Sequence, residues 1–210
     1  MVKTAQVARR SNRTGGTDPI DRNMILDAAA TVFSERGYRA TNLSIVAETL
    51  GVTRQALYHH FPHKDAILFY LFDRTMSLFE VRVLSAKEET PGGTFVAMLR
   101  EHARICIENS ALIMISQTED RELPEDLLKQ VLQRRKDYHR QFVNAYSDGV
   151  ASGELRPTDE VSASVSFMLA ACHATAKWRG SSSRMSSRAL TDMVTSLLCD
   201  GSVVSNETPR

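Results

Sequence analysis

Between Thr49 and Lys64 the chain carries Arg54, Lys64 and three of its six histidines, and no Asp or Glu. A surface without carboxylates approaches a polyphosphate without repulsion, so this stretch suits a nucleic-acid backbone. Within it, Thr53, Arg54 and Gln55 have the chemistry to read base edges. Arginine can bond both acceptors of guanine, and glutamine can bond adenine in the same two-pronged way. Tyr58 and His59, further along, suit phosphate oxygens. His59, His60 and His63 also raise a metal reading, but Pro62 breaks a helix between the last two, and no metal site is expected.

Base reading requires a rigid element that projects these side chains, and the flanking sequence supplies one. Leu43, Val46, Ala47 and Leu50 form the inward face of a short helix capped by Thr41 or Asn42 and ended by Gly51. Thr53 caps the next, whose apolar members are Ala56, Leu57 and Phe61, and Pro62 stops it. Two short helices joined by a tight turn containing glycine, here Leu50-Gly51-Val52-Thr53, are a helix-turn-helix pattern. Its second helix enters the major groove with its N-terminal residues against the bases. An earlier helix starts near Asp21 with Ile25, Ala28, Ala29, Val32 and Phe33 as one stripe.

The string TNLSIVAETLGVTRQALYHHFPHKDAIL, residues 41–68, resembles the helix-turn-helix of the TetR family of bacterial regulators. Thr41 and Leu43, Val46-Ala47, Gly51-Val52, the block from Leu57 to Phe61, and Lys64 carry the likeness. The resemblance implies that Thr41, Tyr58, His59 and Lys64 hold phosphates while Arg54, Gln55 and Ala56 face bases. His63 stands where a small polar cap is usual, which leaves the start of the fourth helix open, and Gln55 stands where glycine is common.

The resemblance also implies an all-α chain of about nine helices. Residues 1–19 form a flexible basic arm with Lys3, Arg9, Arg10 and Arg13, and residues 20–66 the DNA-binding domain. Residues 67–201 form a helical ligand-binding and dimerisation domain, and 202–210 a disordered tail. A long fourth helix runs from Lys64 to about Ser85, and helices follow from about Thr94 to Ser116, from Pro124 to near Gly153, from Glu160 to Trp178 and from Ser186 to Cys199. Ala163, Ala170, Ala171 and Ala174 permit close helix approach, and Leu190, Met193, Val194, Leu197 and Leu198 form a stripe. Both faces fit a dimer interface or the chain's own core; the resemblance favours a homodimer through the last two helices.

His102, Cys106, Met114, Gln117, Tyr138, Phe142, Tyr146, Phe167, His173 and Trp178 are candidates to line an effector pocket, or are plain core. The Lys177-Trp178-Arg179 segment is similar to members of the family that sense acyl-CoA thioesters, and equally fits the basic end of a helix. The expected partners are therefore a palindromic double-stranded operator, a second copy, and a small hydrophobic or amphipathic effector such as an acyl-CoA. A constitutive or activating DNA-binding factor without sensing is the alternative.

The bulk numbers set the bounds. The 210 residues are 42% hydrophobic and 24% charged with a net charge of +1, so affinity for DNA must come from local charge placement. Cys106, Cys172 and Cys199 are an odd set without metal-ligand spacing. With no leader peptide, they read as reduced thiols of a cytoplasmic protein. No run is long and apolar enough for a membrane span. A nucleophile elbow, a glycine-rich phosphate loop and an HExxH pattern are all lacking, so no enzyme and no cofactor are expected.

Overall fold

Helix α1 (Arg22–Arg36) starts where Asp21 takes an extended backbone and its carboxylate accepts the Asn23 N–H. A computed structural model of the chain describes residues 20–179 and 185–200. The expected basic arm, residues 180–184 and the tail lie outside the described residues, as does the side chain of Arg179. Among the described residues there are nine α-helices, one 3-10 turn and no β-strand, as an all-helical chain requires.

Helices α2 (Leu43–Leu50) and α3 (Arg54–His60) follow. Asn42 rather than Thr41 caps α2, its side-chain oxygen accepting from the Ser44 and Ile45 N–H groups. Gly51 ends α2 at φ 69°, ψ 31°. A side chain added there would meet nothing within 4 Å, so the glycine is dictated by its left-handed backbone and not by space. Thr53 caps α3 through the Ala56 N–H. Helix α4 (Lys64–Val83) begins after His63, which gives no side-chain cap, and runs 20 residues.

Helix α4 serves two cores. Its first half supplies Ile67, Leu68, Leu71 and Phe72 to a cluster with Ile25, Phe33, Val46, Leu57 and Phe61. Its second half supplies Met76, Phe79 and Val83 to a larger cluster with Phe95, Leu99, Phe142, Val165 and Leu190. Burial of this kind, about 25 cal/mol per Å² of apolar surface, holds both halves to one rod.

The stretch expected as one helix from Thr94 to Ser116 is two. Helix α5 (Pro91–Glu108) opens three residues earlier, with Thr90 as cap and Pro91 in its first turn. It stops at Asn109 (φ −117°, ψ 40°), whose side-chain amide donates to the Ile105 carbonyl. That bond competes with the helix ladder and turns the chain into α6 (Ser110–Thr118). Asp120–Glu122 form the 3-10 turn, then come α7 (Glu125–Ala151), α8 (Val161–Arg179) and α9 (Ser187–Cys199, capped by Ser186). Helices α7, α8 and α9 all pack on α5. Helix α6 sends Ile115 and Leu112 into the N-terminal cluster and packs on α1. Leu123, Val131 and Leu128 join it there. No helix of the described residues is long and apolar enough to cross a membrane.

Candidate functional site

The fold presents the exposed face of α3 at one place and a cavity at another. On α3, Leu57 and Phe61 are fully buried and fix the helix on its core. That leaves Thr53, Arg54, Gln55, Tyr58 and His59 exposed and Ala56 half-buried. The Arg54 guanidinium donates to the Tyr58 hydroxyl through Nη2 (2.6 Å) and Nε (3.1 Å) and lies 5.2 Å from the ring centre. The two side chains are one turn apart, so each holds the other against the helix surface.

Thr41 and Lys64 occupy different surroundings. Thr41 is buried, its hydroxyl donating to the Gly37 carbonyl. Lys64 Nζ donates to the Tyr38 carbonyl (2.8 Å) and the Thr41 carbonyl (2.9 Å) and sits 3.9 Å over the Tyr38 ring. An ammonium has three donors, so one remains after these two bonds. The Tyr38 hydroxyl donates to Asp65, and burial, then that carboxylate, push its pKa far up. Lys64 therefore ties the α1–α2 loop to the start of α4. His59 and His63 are exposed and His60 is half-buried.

A cavity of about 280 Å³ lies between α4, α5, α6, α7 and α8. Phe72, Thr75, Met76 and Phe79 of α4 form one wall, and Leu169, Ala170, Ser166 and His173 of α8 another. His102, Ser116, Gln117, Arg135, Tyr138 and His139 complete it. Of the candidates read from the sequence, His102, Gln117, Tyr138 and His173 line this space.

The other candidates lie elsewhere. Phe142 is fully buried against the Phe95, His102 and Tyr138 rings. Tyr146 is buried and its hydroxyl donates to the Arg156 carbonyl. Met114 packs half-buried on the larger core. Phe167 and Trp178 are 82% and 48% exposed on the outside of α8. The whole α4 wall escaped the sequence reading, although Phe72, Met76, Phe79 and Val83 continue its helical stripe.

Arg135 joins the cavity to its surroundings. Its guanidinium donates to the Ser116 carbonyl near the end of α6 and to Asp120 (3.0 Å), and lies 5.4 Å from the Phe72 ring centre. On the opposite side of the link, Arg39 pairs with Glu122 at 2.7 Å, and this bond holds the Glu122 carboxyl below its usual range.

The polar end of the cavity is unusual in its chemistry. His102 Nδ1 is 2.9 Å from the Tyr138 hydroxyl, and its Nε2 is buried with no hydrogen-bond partner among the described residues. Burial, then His173, lowers the His102 pKa well below the normal imidazole value. Burial, then Arg135, lowers that of His173 to about 4. Both rings are neutral at pH 7. Cys106, one turn from His102 on α5, is buried, and burial pushes its thiol pKa well up. One ligand atom from each of His102, Cys106 and His173 falls within a group no wider than 4.8 Å. The cysteines were expected to show no metal-ligand pattern. The available clue was the i, i+4 spacing of His102 and Cys106, which puts both on one helix face.

Comparison with known proteins places this geometry. Residues 25–71 match the model described as bacterial regulatory proteins of the tetR family. Residues 88–202, over half the chain, match the tetracyclin repressor-like C-terminal domain. The HTH-type transcriptional repressor KstR2 of Mycolicibacterium smegmatis is 27% identical over 168 residues, covering 75% of this chain and 78% of that protein. The fatty acid metabolism regulator protein of Bacillus subtilis is 27% identical over 134 residues, covering 63% of this chain and 69% of that protein. The solved structure of AibR in complex with isovaleryl coenzyme A and operator DNA superposes with a TM-score of 0.75 at 25% identity, covering 84% of this chain and 96% of that one. With its N-terminal helices and its helical domain each matched by a family model, the chain belongs to the TetR family of bacterial transcription regulators.

Proposed function

We propose that this regulator is a repressor that binds a palindromic operator as a dimer and releases it when a small amphipathic effector, an acyl-CoA thioester or a compound like it, enters the α4–α8 cavity. The observation that carries the reading is the sharing of parts: Phe72 both lines the cavity and belongs to the N-terminal core. Ser116 lines the cavity on α6, whose Ile115 packs into that same core. An effector that fits better with α4 and α6 displaced selects that displacement and carries the recognition helix with it.

In this reading Arg54, Gln55 and Ala56 face bases with Thr53 at the helix start, and Tyr58 and His59 hold phosphates. Lys64 donates its third N–H to a phosphate, and Thr41, whose backbone N–H and carbonyl are engaged by Tyr38 and Lys64, acts by holding Lys64 in place. Residues 20–66 are the DNA-binding domain and 67–201 the sensor, with α4 shared between them. Ala163, Phe167, Ala170, Ala174 and Trp178 follow helical spacing on α8, all on its exposed side. With Leu197, 71% exposed on α9, they form the face that meets a second copy. Leu190 and Val194 of the same expected stripe are instead buried within the chain. The protein works in the cytoplasm and catalyses no reaction. KstR2 is a repressor by name, the Bacillus subtilis relative regulates fatty acid metabolism, and AibR holds isovaleryl coenzyme A; these support the effector class. A cavity of about 280 Å³ has room for a short or compact acyl group.

The test is an operator selected from random duplexes, followed by titration of acyl-CoAs of graded length in the presence and absence of that operator. Release by short-chain thioesters, with operator weakening the thioester by the same factor, is expected. Equal thioester affinity in both states would exclude this class as inducer.

A further inference from the structure

His102, Cys106 and His173 gather on two helices, α5 and α8, at the edge of the cavity. We propose that these three side chains form a metal site of the chain's own, taking a borderline divalent cation of the zinc type with the fourth coordination position open to the cavity. This goes beyond effector recognition and stands independently of it.

Three observations carry it. The ligand atoms lie within 4.8 Å of one another, and zinc bonds of about 2.0–2.3 Å place tetrahedral ligands about 3.5 Å apart. Closing a little over ~1 Å is within the reach of side-chain rotation. The second is the unpartnered His102 Nε2, buried where an imidazole nitrogen without a partner is costly. A metal bond supplies that partner. The third is the Tyr138 hydroxyl at His102 Nδ1. Ligating imidazoles characteristically engage their other nitrogen in this way, which fixes ring and tautomer.

The donor set is selective. Two neutral imidazoles and one thiolate suit zinc, and exclude the oxygen-seeking magnesium and calcium. On binding, the divalent cation displaces the proton of the Cys106 thiol, which leaves to solvent; the thiolate cancels one of the two metal charges and the site gains one net positive charge. Among the described residues this is the one such cluster; His59, His60 and His63 of the reading head do not form another.

The experiment uses the full chain, stripped with a chelator and titrated with Co²⁺ as an optical probe, then with Zn²⁺. About one equivalent of Co²⁺ per protomer is expected, with intense tetrahedral visible bands and a thiolate charge-transfer band in the near ultraviolet, all abolished by Zn²⁺. Cys106→Ser, nearly isosteric, should keep the fold by circular dichroism and lose the charge-transfer band. Tyr138→Phe should keep the band and weaken binding by about 10-fold or more. Absence of a tetrahedral spectrum at micromolar protein, or a Cys106→Ser spectrum identical to wild type, overturns the proposal. Either result leaves the acyl-CoA titration untouched.

Discussion

Replacing Arg135 by methionine keeps an unbranched side chain and removes the guanidinium that lies over Phe72 and joins the cavity wall to α6 and the 3-10 turn. Besides the contact over the Phe72 ring, two polar contacts are lost: the bond to the Ser116 carbonyl and the pair with Asp120. A charge-assisted hydrogen bond contributes about 1.5–3 kcal/mol when shielded. Both side chains of the Asp120 pair are just over a quarter exposed (28% and 27%), so solvent screening reduces that pair to about 1 kcal/mol. For these two contacts the total, about 2.5–4 kcal/mol, corresponds to a fall in Tm of about 5–16 °C for a chain of this size. It is of the same size as the roughly 2.7 kcal/mol of differential affinity that a 100-fold effector response requires. Arg135→Met should therefore bind operator close to wild-type affinity and respond weakly to effector. Melting by circular dichroism and fluorescence anisotropy on a labelled operator read the two quantities separately. An effector response that survives undiminished, whatever the melting temperature, refutes the coupling assigned to Arg135.

Other outcomes follow from the same contacts. Arg54→Ala should relax sequence preference at one position per half-site by about 1–3 kcal/mol, measured by competition among operator variants, whereas Lys64→Ala should flatten the salt dependence of all binding. Because Lys64 also ties Tyr38 and Thr41 to α4, the second variant should in addition lower the Tm. In sedimentation the wild type should run near twice 23.4 kDa, and Leu197→Glu should shift it to the monomer by placing an unpaired charge in an apolar interface; an unshifted variant rejects the α8–α9 face. Since folding lowers the His173 pKa to about 4, the unfolded chain binds the extra proton below the ordinary value near 6.5. Stability should therefore be full above about pH 6.5 and fall toward pH 4, by up to ~1.4 kcal/mol per pH unit for each such histidine. In urea titrations His173→Gln should show a shallower slope over that window, and an unchanged slope would assign the pH dependence to other groups.

Local chemistry made the reading head legible from the sequence. Gly51 fits the left-handed turn, Thr53 caps α3, and Leu57 and Phe61 alternate with exposed Arg54, Tyr58 and His59 at helical spacing. Each of those facts depends on residues within a few positions of one another, which is the range over which periodicity and capping act. The same rules located α7, α8 and α9 to within a few residues. They missed the break at Asn109, because an asparagine side chain turns on its own helix without a glycine or proline to mark it.

Which faces meet was decided only by the packing of distant helices. A stripe at 3.6-residue spacing says that a face is apolar and not what covers it. Leu190 and Leu197 belong to one stripe of α9, yet α5 buries the first and leaves the second exposed. Phe142 and Phe167 looked alike as cavity candidates, and one is sealed in the core while the other faces outward. The wall formed by α4, the reach of Arg135 from α7 to Ser116, and the meeting of His173 with His102 and Cys106 across 67 or more positions of chain all depend on contacts that no local window contains.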